Sequence, residues 1–305
     1  MTSHDHHVES ADGTRLVVRR LGAGDPVVLV HGSGGGLHSW AAVADDLAHD
    51  HEVWMPARRG YGPSDVPPGP KSFAEETVDL TAVIAAARQS SGKPVHLVGA
   101  SYGATVALHT ASADPCDVRS LAVFEPPLFA AGAEVAPLLD AYRAAFERDD
   151  AGAMAAALNG VTRVPAEVVA AFAAAAGDRT PDPVEARRSA IGWLHDLEAL
   201  ARDSTDIARW SSITVPTLVL SGADTWEPMP TTTHTLAATI PAARHVVWPG
   251  QSHFATMTAP ALVADALRQF FTEISATWPS RDPDADVTAT GDPPTGARWW
   301  ASTID

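Results

Sequence analysis

The chain has 305 residues, 46% of them hydrophobic and 19% charged, the balance of a globular protein and not of a disordered or membrane-embedded one. With 21 basic against 37 acidic residues its formal net charge is −16, which argues against nucleic acid or an anionic membrane surface as a partner. A single cysteine, Cys116, excludes an intrachain disulfide framework and a cysteine-built zinc site, and no run reaches the ~18 apolar residues of a membrane span.

The opening MTSHDHHVES is polar, carries three histidines and lacks the apolar core of a signal peptide. Residues 1–10 therefore read as a flexible N-terminus, and the protein as cytoplasmic. A first strand is expected at Thr14–Arg20, after the Asp12-Gly13 turn and before the Gly22 to Pro26 loop. Val27–Val30 is an unbroken apolar run, the pattern of a strand buried on both faces of a parallel sheet. Apolar spacing of three and four predicts a helix at Ser39–Ala48. Strands follow at Val53–Met55 (closed by Pro56), Val95–Val98 and Leu121–Phe124, with helices at Phe73–Arg88 and Ala104–Ala113 between them. From 130 to 210 the β-like runs stop. That stretch is Ala-rich, broken by Gly and Pro, and reads as a helical insertion; its few large apolar residues suit a lid on the sheet domain better than a separate domain. Strands resume at Leu218–Leu220 and His245–Trp248, then a helix at Ala261–Phe271. Residues 275–305 lose periodicity and read as a flexible tail, with Trp299-Trp300 near its end. The expected fold is α/β, a mostly parallel central sheet covered by helices on both faces, with its core in 11–129 and 211–274.

Val98-Gly99-Ala100-Ser101-Tyr102-Gly103 follows a buried strand and opens a helix. In that context a Gly-x-Ser-x-Gly turn is tight enough to strain the serine backbone and to lift its hydroxyl above the carboxyl end of the sheet. A serine hydroxyl is a weak nucleophile without a base. His253, in a Gly-containing loop after the strand ending at Trp248, is the candidate base; His245, inside that strand, is not. The base needs a carboxylate to fix its tautomer. Asp224, four residues beyond Leu220, and Glu125, directly after Phe124, both lie at strand ends. The spacing favours Asp224, because Ser221-Gly222 leaves its loop room to turn, whereas Pro126-Pro127 stiffens the chain after Glu125. His31-Gly32-Ser33-Gly34-Gly35-Gly36 follows another strand, where backbone N–H groups can meet a developing oxyanion. The loop lacks the Lys-Ser/Thr ending of a phosphate loop, and His31 reads as structural.

On these residues the chain resembles the α/β-hydrolase family, from about residue 8 to residue 274. Ala57-Arg58-Arg59-Gly60-Tyr61-Gly62-Pro63-Ser64 is similar to a family loop that usually starts with Asp, here Ala57. The resemblance implies an oxyanion hole formed by the N–H groups of Ser33 and Tyr102, makes 130–210 the family's cap, and also favours Asp224 as the acid. The function it implies is a serine hydrolase of the esterase kind, acting on an ester, thioester or related acyl bond of a small molecule through Ser101, His253 and Asp224, with no cofactor or metal. Other chemistry on the same scaffold stays open, including carbon–carbon bond hydrolysis, lyase, perhydrolase or cyclase activity, as does a non-catalytic binding role. Haloalkane dehalogenase and epoxide hydrolase chemistry are disfavoured, because both would place Asp at position 101. Trp226, Trp193, His195 and Tyr142 are candidate pocket residues; His96, Trp40, Trp54 and Trp248 read as core. Oligomeric state is not legible.

Overall fold

The computed structural model describes residues 4–176, 182–241 and 243–277. Eight strands form one sheet: β1 (His4–Glu9), β2 (Arg15–Gly22), β3 (Asp25–Val30), β4 (His51–Pro56), β5 (Val95–Ala100), β6 (Val118–Phe124), β7 (Thr217–Gly222) and β8 (Ala243–Trp248), in the order β1-β2-β4-β3-β5-β6-β7-β8. The β1–β2 and β2–β4 pairings are antiparallel and the rest are parallel. Strand alternation divides the core cleanly. Val28, Val30, Leu97, Leu121, Val123 and Val219 pack on one face. Val27, Leu29, Val98, Ala122, Leu218 and Leu220 pack on the other. Helices cover both faces, which is why the central strands read as unbroken apolar runs.

The helices are α1 (Ala41–Leu47), α2 (Phe73–Ser91), α3 (Tyr102–Ala113), α4 (Ala136–Glu147), α5 (Ala151–Thr162), α6 (Ala166–Ala176), α7 (Pro183–Arg202), α8 (Met229–Thr239), the one-turn α9 (Ala255–Thr258) and α10 (Pro260–Thr277). α1 and α10 lie on one face of the sheet, through Val43, Leu47, Leu267 and Phe271. α2, α3 and α8 lie on the other, through Leu80, Val106 and Leu236. α2 starts in a capping box, with Ser72 accepting from the Glu75 N–H while Glu75 accepts from the Ser72 N–H, and ends at Gly92 in the left-handed conformation. Helices α4 to α7 fill the stretch between β6 and β7. Leu139, Tyr142, Val161, Leu197 and Leu200 from this insertion belong to the same buried cluster as the sheet face beneath them. No helix among the described residues is long and apolar enough to cross a membrane.

Two expectations are corrected, and one helix lies where none was expected. Residues 4–9 are not a frayed end but the edge strand β1, paired residue by residue with β2 from His4↔Arg20 to Glu9↔Arg15. Its composition hides it, because an edge strand keeps most of its side chains in solvent and is held by backbone pairing and by the Arg19–Asp5 ion pair at 3.0 Å. Helix α8 was not expected; its proline- and threonine-rich sequence masks a buried spacing of Met229, Thr233 and Leu236. The last helix continues to Thr277, so residues 275–277 are helical; the remainder of the proposed tail, with Trp299 and Trp300, lies outside the described residues.

Candidate active site

The sheet positions the candidate nucleophile, Ser101. β5 ends at Ala100 and α3 begins at Tyr102, leaving one residue to make the turn; Ser101 does so at φ 54°, ψ −127°. A non-glycine residue at positive φ is strained, and the surroundings enforce it. The Ser101 N–H donates to the Phe124 carbonyl at 2.8 Å. A Cβ on Gly99 would collide with the Gly103 and Ala104 backbone, and one on Gly103 with the carbonyls of Val30 and His31. Both glycines are therefore required by close approach of backbone.

His253 lies in the loop after β8, with its imidazole between two oxygens. Nε2 is 3.1 Å from Ser101 Oγ. Nδ1 is 2.7 Å from Glu125 Oε2. A carboxylate can only accept, so Nδ1 carries the proton and Nε2 is free to accept from the serine. Phe124, Trp226 and Phe254 pack around the ring, with centroids 6.2, 5.8 and 5.7 Å away.

The carboxylate beside His253 belongs to Glu125, not to Asp224, and this reverses the preference drawn from spacing. Glu125 is fully buried and takes φ 44° at the end of β6. That left-handed turn directs it across the end of β7, where Oε1 accepts from the Gly222 N–H at 2.8 Å and from Thr225 Oγ1 at 2.7 Å. The β7 loop is therefore occupied in holding Glu125. Its backbone is also pinned to the β8 loop, by Ala223 N–H to the Trp248 carbonyl and Asp224 N–H to the Gln251 carbonyl, both 2.9 Å. Pinned in this way, the loop turns Thr225 inward and leaves Asp224 exposed. Thr225 escaped notice in the sequence because it is adjacent to the more conspicuous Asp224.

The glycine loop follows β3 and lies against Ser101; a Cβ on Gly32 would be 3.0 Å from Ser101 Cβ. The N–H groups of Gly34, Gly35 and Gly36 are used internally, on Tyr61 Oη at 3.0 Å, the Gly32 carbonyl at 3.3 Å and Ser39 Oγ at 3.0 Å. Among the described residues, no protein acceptor meets the N–H of Ser33 or of Tyr102. His31 is structural, as expected. Its Nδ1 donates to the Gly32 carbonyl at 2.7 Å while Nε2 accepts from the Arg58 N–H at 3.1 Å. Burial, with the neighbouring Arg58 charge second, pushes its pKa down to about 3 and keeps the ring neutral.

The other candidates separate. Trp226 lies against His253, and its Nε1 donates to the Thr162 carbonyl at 2.9 Å, tying the β7 loop to α5. Trp193 lies against Gly34 and His195 against Gly60. Tyr142 is buried, with its hydroxyl on the Ala190 carbonyl at 3.1 Å, and so braces the insertion internally. His96, Trp40, Trp54 and Trp248 are buried core residues. Where Ala57 replaces the usual Asp, Ser64 Oγ donates to the Ala57 carbonyl at 2.7 Å and accepts from the Val17 N–H at 2.8 Å.

A profile of the Alpha/beta hydrolase family matches residues 27–266. An α/β hydrolase of known structure from Sphaerobacter thermophilus superposes with a TM-score of 0.68 at 31% identity, over 87% of this chain and 100% of that one. Among curated proteins, a 2-hydroxy-6-oxo-2,4-heptadienoate hydrolase of Pseudomonas putida is 37% identical over 114 residues, 36% of this chain and 41% of that protein. A 2-hydroxymuconate semialdehyde hydrolase of a Pseudomonas species is 33% identical over 114 residues, 36% of this chain and 40% of that protein. The chain thus spans roughly two fifths of the length of the curated relatives it matches. With the family profile covering most of the sequence and a solved relative aligned along nearly all of it, the chain belongs to the α/β-hydrolase family.

Proposed function

We propose that the protein is a serine hydrolase that cleaves an ester or related acyl bond of a small molecule through Ser101, His253 and Glu125. The observation that carries this reading is the continuous line from Ser101 Oγ through the imidazole to a buried carboxylate, at 3.1 and 2.7 Å. His253 Nε2 takes the Ser101 proton as Oγ attacks the carbonyl carbon. Glu125 holds the Nδ1–H tautomer and stabilises the imidazolium. The negative charge that develops on the carbonyl oxygen is met by the N–H groups of Ser33 and Tyr102, each worth roughly 3–4 kcal/mol in comparable sites. The imidazolium then gives its proton to the leaving group, and water, activated by the same nitrogen, releases the acyl group from Ser101.

A second reading changes the bond and keeps the machinery. Similarity to two hydrolases named for a 2-hydroxy-6-oxo-2,4-heptadienoate and a 2-hydroxymuconate semialdehyde favours carbon–carbon bond hydrolysis of an oxo-dienoate. A fluorophosphonate probe, followed by turnover assays on p-nitrophenyl esters and on such a dienoate, tests both. Wild type is expected to label at Ser101 and Ser101→Ala not to label, and the faster-cleaved substrate decides the bond. Near-native turnover by Ser101→Ala would overturn the assignment.

A further inference from the structure

Asp196 lies on α7, in the helical insertion, yet it is fully buried. Its carboxylate accepts from Ser33 Oγ at 2.6 Å, Tyr61 Oη at 2.7 Å, the Arg58 guanidinium at 2.9 and 3.0 Å, and Lys71 Nζ. Glu76, on α2 and also buried, accepts from Arg58 at 2.6 Å and from the Tyr102 hydroxyl at 2.5 Å, with Lys71 Nζ at 3.3 Å. Arg58 and Lys71 therefore bridge two carboxylates in a buried, charge-balanced group of four. Arg58 also reaches the loop directly, donating to the His31 and Gly32 carbonyls at 2.9 and 3.3 Å. As a source of stability such a group is poor, because removing each ion from water costs several kcal/mol and apolar packing serves as well. What it supplies is position. Each of the two residues whose N–H groups face the proposed oxyanion is gripped by its side chain, Ser33 by Asp196 and Tyr102 by Glu76.

We propose that Asp196 is a positioning residue for the oxyanion hole, so that the Ser33 donor is held in its working geometry only while α7 is docked through the Asp196–Ser33 bond. The inference rests on the serine-hydrolase reading. It makes the insertion part of the rate machinery as well as a cover over the site.

The informative variants are at Ser33, because Asp196→Asn leaves Arg58 and Lys71 short of a counter-charge and risks misfolding. Ser33→Ala keeps the backbone N–H and removes only the bond to Asp196; Ser33→Thr restores a hydroxyl. On a p-nitrophenyl ester, Ser33→Ala is expected to lower kcat roughly tenfold with KM within about twofold, since a misplaced donor loses part of the 10²–10³ that a deleted one costs. Phenylboronic acid, which forms a tetrahedral adduct on the serine, should bind Ser33→Ala more weakly by a similar factor, and Ser33→Thr should recover most of both losses. Hydrogen exchange across 31–36 should quicken in Ser33→Ala alone. Unchanged kcat and boronate affinity in Ser33→Ala, a loss confined to KM, or no recovery in Ser33→Thr would overturn the positioning role. If wild type still labels with fluorophosphonate in any of those cases, the serine-hydrolase reading survives. Wild type that neither labels nor turns over would remove both.

Discussion

Glu125→Gln and Asp224→Asn separate the two carboxylates that sequence spacing left in competition. The Gly222 N–H and Thr225 O–H both donate to Glu125 Oε1, so a glutamine there must turn its carbonyl oxygen toward them. Its NH₂ then faces His253 Nδ1, which has to accept, and the ring proton moves to Nε2, where it blocks proton removal from Ser101. By analogy with the serine-protease aspartate, kcat should fall by ~10³–10⁴. Asp224 is exposed, and Asp224→Asn should leave kcat within roughly twofold. Thr225→Val keeps the shape of the side chain and deletes one of the two bonds to Oε1. Steady-state kinetics should show a loss of roughly tenfold in kcat, the equivalent of about 1.5 kcal/mol for a hydrogen bond to a charged group. Both strand ends were visible in the sequence, but the choice between them was not. It turns on the φ of 44° at Glu125 and on the backbone bonds that pin the β7 loop, and neither leaves a mark in residue type.

At the scale of elements, the strand–elbow–helix unit was the most legible part of the chain. Its signals are local: an apolar run, two glycines in fixed places and a helix start. Gly103→Ala should show how tightly that unit is built, because its Cβ would press on the β3 end at Val30 and His31, which are backbone and cannot swing aside. Overpacking of this kind costs about 1–3 kcal/mol, and calorimetry should find Tm lowered by several degrees, with kcat reduced because the same backbone carries Ser101. β1 was illegible for the opposite reason. An edge strand with solvated side chains is specified by its partner's backbone, and HDHHVE offers no apolar alternation to read. The buried charge network was hidden too. Lys71 and Glu76 are close in sequence, but Asp196 lies more than a hundred residues further on, and only the docking of α7 brings it to them.

For the molecule as a whole, acid should be destabilising well above the carboxylate range. Burial, with Arg58 second for His31 and Arg119 second for His96, pushes both pKa values from 6.5 down to about 3. The unfolded chain takes up protons on these rings below about pH 6.5 while the native state refuses them until about pH 3. The contribution of these two rings to stability is therefore flat above 6.5 and falls through that window, by about 1 kcal/mol per pH unit for each ring. Thermal unfolding followed by circular dichroism should give a lower Tm at pH 5.0 than at pH 7.5, with a shallower slope in His96→Gln; a Tm that rose on acidification would contradict the assignment. The position of Glu125 also has a consequence for the site. Neighbouring strands of a parallel sheet end at one edge, about 4.8 Å apart, so the ends of β6 and β7 are adjacent addresses from which one imidazole can be reached. This chain has a carboxylate near each, Glu125 turned inward and Asp224 turned out. A carboxylate moved from one address to the other would leave Ser101 and His253 where they are, so the acid is the one member of the proposed triad that the fold does not tie to a single strand.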